Sequence, residues 1–482
     1  MGAFLWTSAA AINATDARMA LNIRRVFIGD VRRVQLRAQL TRAWVTLAVA
    51  MIGLLLVGLQ ITASNAGFRG PLQSLISDYV HTPKSATVPW VGLGLAMVGL
   101  SNRWRMFALS VAAALDVAFA AERLLRGGVF TFGNGPLIVL TGLALVAWQR
   151  WARAERATAF RGVAFGFLLI IATKAGDTWL SITAIVRPTV LDEYALLADH
   201  ALAQPSWLLG RLVDAGGPVL NAALHWVYIE LPVAATAVAI YQLRNVRTDG
   251  WPRHFLVPTF LLISLIGPVI YLLFPLVGPD IAFGSAGRGF QVGDYWPHTL
   301  PPIHSSPRAV TFDNSTPRNC MPSLHTALAL TVFIHSRGGP RWLRWGGTLW
   351  LVCTIAATLG FGYHYGVDLV AGGVLCLTVE SALREPARGR TWSRMGLVAF
   401  GVAFLTVLLV CCRFLAEAMA RHPLLFGPLV IGTFVVFSTA FYATFFAPPG
   451  IFRRAATSPR DNGLGADRRS RVGAESVSTL SI

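Results

Sequence analysis

The chain has 482 residues, 54% of them hydrophobic and 13% charged, with a mean hydropathy of +0.57 and a formal charge of +18. A soluble protein of this length would carry about 25% charged residues, so the composition argues against a water-soluble enzyme. It argues equally against nucleic-acid binding, because the 39 arginines and two lysines sit in short segments between apolar runs. That distribution suits inner membrane loops and anionic lipid headgroups.

Residues 1–42 hold seven arginines with apolar residues interleaved. They read as a basic amphipathic helix on the cytoplasmic leaflet or as a solvated charged helix. No cleavable signal peptide is evident, so the first apolar span is expected to act as the insertion signal. Apolar runs then predict helices over 43–63, 88–101, 106–122, 130–148, 162–186, 219–243, 255–278, 321–336, 345–362, 366–383, 395–414 and 424–447. The expected fold is an all-α integral membrane protein of about 12 transmembrane helices. Its parts are N-terminal membrane helices over 43–186, a six-helix catalytic bundle over 219–414, a final helix over 424–447 and a disordered tail over 448–482. With the N-terminus inside, 29 of the 41 lysines and arginines fall in inner segments. The positive-inside bias therefore predicts a multi-pass plasma- or inner-membrane protein with both termini cytoplasmic. Five cysteines show no spacing of a disulfide framework or a zinc site.

Two stretches concentrate the chemistry. Arg318-Asn319-Cys320-Met321-Pro322-Ser323-Leu324-His325 opens one apolar run, and Gly362-Tyr363-His364-Tyr365-Gly366-Val367-Asp368 opens another. The charge bias puts His325 and His364 on the same outer face. Ionisable groups at such positions are costly and more often functional than not. His364 and Asp368 are four apart and share a helix face, so the carboxylate can fix one imidazole nitrogen as donor and leave the other free. Pro322-Ser323 is a helix start, and main-chain N–H groups there suit phosphate.

This pair of stretches resembles the type 2 phosphatidic acid phosphatase superfamily over roughly residues 220–385. The superfamily's second block, Pro-Ser-Gly-His, stands here as Pro322-Ser323-Leu324-His325. Its third, Ser-Arg-x5-His-x3-Asp, stands as His364-x3-Asp368 with Ala357-Thr358 where Ser-Arg belongs. The first block, Lys-x6-Arg-Pro, is replaced by the proline-containing run Tyr271–Pro279. These departures are similar to the divergent branch that contains inositol phosphorylceramide synthase, an inositolphosphotransferase. The resemblance implies His364 as nucleophile, Asp368 as its orienting partner and His325 as proton donor to the leaving oxygen, with no metal or other cofactor. It implies membrane lipids as partners, with a phospholipid or isoprenoid phosphate as substrate.

The missing arginine needs a substitute, because guanidinium matches phosphate geometry. Arg318 and Arg288 are the candidates, and Ser323 joins them as a substrate-binding residue. Lys174 and Asp177, three apart inside the span 162–186, are expected to pair and to touch substrate. His225, Glu230, Asp116 and Glu380 are weaker intramembrane candidates. The expected function is a lipid phosphotransferase or phosphatase. Isoprenoid diphosphate hydrolysis and a non-catalytic transporter or scaffold are the alternatives.

Overall fold

Apolar runs in lipid must satisfy their own backbone, so they become helices. The computed structural model describes residues 46–47, 49–284, 294–302, 306–386 and 391–446. The expected amphipathic segment 1–42, the tail 448–482 and Arg288 lie outside the described residues. The N-terminal part contains α1 (Val49–Asn65), α2 (Pro71–Val80), α3 (Thr87–Met97), α4 (Asn102–Leu125), α5 (Asn134–Arg150) and α6 (Arg153–Val186). Then come α7 (Asp192–His200), α8 (Pro205–Ala215), α9 (Gly217–Ile229), α10 (Leu231–Leu243), α11 (Leu256–Tyr271) and α12 (Pro279–Phe283). The last group is α13 (Leu324–Ser336), α14 (Arg341–Gly360), α15 (Gly366–Leu383), α16 (Thr391–Phe414), α17 (Ala416–Arg421) and α18 (Pro423–Phe445).

Each of the expected apolar segments carries helix. Four of the described helices (α6, α15, α16 and α18) are long and apolar enough to cross a membrane, and α9 with α10 passes the same test only as a bent pair, a broken span or a re-entrant loop. The expected single helix over 219–243 is corrected to this pair, bent by 53° at Glu230. Pro232 supplies the reason. It has no N–H for the carbonyl four residues back, and its ring collides with that carbonyl.

The N-terminal helices α3 and α6 approach through small residues. A Cβ added at Gly166 would lie 2.4 Å from the Gly92 carbonyl oxygen, and one at Gly162 2.9 Å from that of Ala96. Such contacts replace the hydrophobic drive that is missing between helices in lipid. A core of α3, α6, α10, α11, α13 and α14 residues joins this part to the remainder. The largest core gathers α7, α11, α13, α15, α16 and α18, so it reaches beyond 219–414 in both directions. The only regular strands among the described residues are β1 (Thr189–Val190) and β2 (Val310–Thr311), paired antiparallel. They fasten the long 279–320 connection to the start of α7. Trp296 of that connection packs against Gly362, where a Cβ would lie 2.7 Å from the indole and φ is +67°. Only glycine suits that position.

Candidate active site

Residues 323–325 and 362–368 lie about forty positions apart in sequence, and two helix starts bring them together. Ser323 caps α13, its Oγ accepting from the Thr326 N–H at 3.4 Å. Asp368 caps α15, its Oδ2 accepting from the Tyr365 N–H at 2.9 Å. The caps are joined, because the Ser323 N–H donates to the Asp368 carbonyl at 2.9 Å. Gly372 permits this approach, since a Cβ there would lie 2.3 Å from the Ser323 carbonyl oxygen. The Cys320 thiol donates to the Tyr363 carbonyl at 3.2 Å.

The His364 ring is buried, with Nδ1 3.4 Å from Asp368 Oδ2. Neither His364 Nδ1 nor Asp368 Oδ1 has a hydrogen-bond partner. Burial pushes the imidazole down to about 3, so it is neutral at physiological pH. His325 is partly exposed and within electrostatic reach of His364. Its ring stacks on Tyr228, centroids 3.8 Å apart and 19° from parallel. Tyr228 in turn meets Tyr363 at 5.1 Å. The run expected in place of the first block also packs here. The Asp280 N–H donates to the Gly362 carbonyl at 2.9 Å, and a Cβ at Gly278 would lie 2.6 Å from the Tyr363 carbonyl oxygen.

The expected substrate-binding residues fare differently. Ser323 is at the site as a helix cap. Arg318 is fully buried, and its guanidinium donates to the carbonyls of Arg187, Thr316 and Asp313. Those bonds make it a brace for the connection leading into α13, which corrects its expected place as the substitute phosphate ligand. The expected Lys174–Asp177 pair is also corrected. Lys174 pairs with Asp78 of α2 at 2.5 Å, both side chains buried, and Asp177 pairs with Lys84 at 2.8 Å near the surface. A spacing of three allows contact on a helix, but α2 and the turn after it place an opposite charge closer to each. Asp116 accepts from Trp90 Nε1 and from the Gly133 and Gly135 N–H groups, which is a structural role.

Two clusters have metal-ligand types close together: Cys320, His364 and Asp368, and His254, His335 and Glu380, each within 4.8 Å. In the first, the Cys320 thiol donates to the Tyr363 carbonyl and burial raises it well above its usual range. In the second cluster Glu380 already accepts from Arg384 at 2.9 Å and from His335 Nε2 at 2.7 Å.

Sequence reasoning missed Tyr228 and Ser206, whose Oγ donates to the His364 carbonyl at 2.7 Å. Their signal is contact across the fold, and no local spacing carries it.

Residues 198–382 match the family model described as the PAP2 superfamily. Residues 42–182 match a second model, described as a domain of unknown function, DUF5933. No curated protein and no solved structure matches the chain. The first match supports the type 2 phosphatidic acid phosphatase superfamily over that region. With the apolar helices, it points to a membrane protein and to a phosphatase-type activity on a lipid-like substrate.

Proposed function

We propose that the protein is a membrane lipid phosphotransferase that works through a phosphohistidine on His364, at the outer leaflet. The observation that carries this reading is the junction of the two histidine blocks at one end of α13 and α15. There Asp368 both caps its helix and faces His364 Nδ1.

The chemistry follows from the donor positions. A proton on Nδ1, directed at Asp368, leaves the Nε2 lone pair free. That lone pair attacks phosphorus, and the bond from phosphorus to the leaving oxygen breaks as that oxygen takes a proton from His325. In the second step His325 accepts the proton of an incoming hydroxyl. The new oxygen bonds to phosphorus as the P–N bond breaks and His364 is restored. The 3.4 Å gap between His364 and Asp368 is the loose apo geometry that tightens when positive charge develops on the ring.

Transfer of a polar phosphate head group, of the inositol-phosphate type, is favoured over simple hydrolysis. Two features support it: the Pro322-Ser323-Leu324-His325 form of the second block, and the Pro275–Gly278 run packed on the His364 turn. Arg288 is proposed as the phosphate-holding cation, since the guanidinium of Arg318 is engaged elsewhere. The test is lipid phosphotransfer by purified protein in detergent, with phosphatidylinositol as donor and a lipid alcohol as acceptor. Wild type should transfer inositol phosphate to the alcohol with release of diacylglycerol, and His364→Ala should not. Phosphate release to water alone would replace the transferase reading by a phosphatase.

A further inference from the structure

Helix α7 lies outside both histidine blocks, yet seven of its nine residues are buried, Asp192 and Asp199 among them. The two are seven apart, which is two turns, so they share a face. Asp192 Oδ1 accepts from the Tyr365 hydroxyl at 2.8 Å and the Gly278 N–H at 2.9 Å. Its Oδ2 accepts from the Val277 N–H at 3.2 Å. Asp199 Oδ1 accepts from the Val367 N–H at 3.0 Å, while its Oδ2 is buried without a partner. Between them Gly366 leaves no room for a side chain. A Cβ there would meet Pro205 at 2.5 Å and Asp199 Oδ1 at 2.8 Å. With Ser206 on the His364 carbonyl, every residue from His364 to Val367 is held from α7 or α8.

We propose that Asp192 and Asp199 are positioning residues of the histidine site. They are hydrogen-bond acceptors that hold the His364 turn in register from outside α15, while Asp368 holds it from within. The assignment rests on the phosphohistidine reading for its catalytic meaning. Neutrality follows from the surroundings. Asp368 on α15 and the Cys412 thiol on α16 lie within electrostatic reach of Asp199. On its own helix are Asp192, Glu193 and His200, with Glu193 paired to Arg308. On α17, Glu417 and Arg421 pair with each other. An ionised Asp199 would therefore place a buried negative charge beside the Asp368 carboxyl and repel an incoming phosphate. Burial pushes Asp199 up to about 8 and Asp192 up to about 7.

The experiment compares Asp199→Asn with Asp199→Ala in the full-length protein in detergent. Asparagine keeps the acceptor for Val367 and sets its amide where Oδ2 has no partner. It should leave kcat within about 3-fold of wild type, whereas alanine should lower kcat at least about 30-fold with KM little changed. Wild-type kcat should fall as pH rises through about 8, and Asp199→Asn should remove that limb. Asparagine as damaging as alanine, or the same alkaline limb in both proteins, would overturn the assignment. Hydrogen exchange of the peptide 361–370 gives a second reading that needs no activity. Exchange should rise at least about 10-fold in Asp199→Ala and stay at the wild-type rate in Asp199→Asn. Unchanged exchange in the alanine variant would also overturn it. A wild type without phosphotransfer would sink the functional reading alone and leave the exchange comparison to decide the positioning role.

Discussion

The α13–α15 pair carries a histidine cluster at each end, and the two ends differ in one respect. At the Glu380 end no side-chain atom of the network is both buried and unpartnered. Glu380 accepts from His335 at 2.7 Å, His254 at 3.0 Å and Arg384 at 2.9 Å. The Gln242 amide donates to His335 Nδ1 at 2.9 Å, while its oxygen accepts from the Leu256 N–H at 2.9 Å. That chain of donors fixes the His335 proton on Nε2, facing Glu380. At the Ser323 end, His364 Nδ1, Asp368 Oδ1 and Asp199 Oδ2 are buried and unpartnered. Leaving one such group unpaired costs about 1–3 kcal/mol. A completed network is architecture. Groups held unpaired at such a cost mark the place where a reacting group is to be met.

The comparison can be broken most forcefully at the Ser323 end. His364→Ala should lower phosphotransfer by about 10³- to 10⁴-fold or more, with the melting temperature nearly unchanged, because only the nucleophile is lost. Loss of folding instead of activity would make this end structural too. At the opposite end the outcome should reverse. Glu380→Ala leaves Arg384 and two histidines without their shared anion and should destabilise the protein by about 3–5 kcal/mol. The kcat of the protein that remains folded should stay within about 3-fold of wild type. Thermal unfolding and turnover measured on one preparation decide this, and a catalytic loss beyond that range would erase the contrast.

Asp199 sharpens the comparison through pH. Its folded value of about 8 lies above the usual carboxyl value of about 3.9. The folded state therefore binds this proton more tightly than the unfolded chain. Its contribution to stability is full below about pH 4 and is lost as pH rises through about 8. Asp199→Asn should flatten that part of the stability–pH curve, and an unaltered slope would deny the neutral acid. The smallest effect is expected beside α7. Ala203 holds φ of +61° and is followed by Gln204 at +49°, a conformation that favours glycine. Ala203→Gly should raise stability by a few tenths to about 1 kcal/mol. A loss of stability in urea titration would show that no strain is stored there.

The helices were legible because hydrophobic runs declare themselves, and the four-residue spacing foretold the approach of His364 to Asp368 at 3.4 Å. The break at Glu230 was not, since 219–243 reads as one apolar run and Pro232 looks tolerable in a membrane helix. Nor was α7 legible as a buried element. A nine-residue segment with three acids resembles a solvent-facing turn, and only contact with Tyr365, Gly278 and Val367 shows otherwise. The partner of Lys174 was not legible either, since Asp177 lies three positions away and Asp78, 2.5 Å distant, lies ninety-six away. Arg318 misled because a cation next to a motif suggests a ligand, while its partners are carbonyls of the same connection and of Arg187.

The most direct test of the central claim is to trap the phosphoenzyme from a labelled aryl phosphate at low temperature, in wild type, His364→Ala and His325→Ala. An aryl oxygen needs little protonation to leave, so His325→Ala should still accumulate the acid-labile species, while His364→Ala should show none. Label retained in His364→Ala and lost in His325→Ala would contradict the assignment and make His325 the nucleophile.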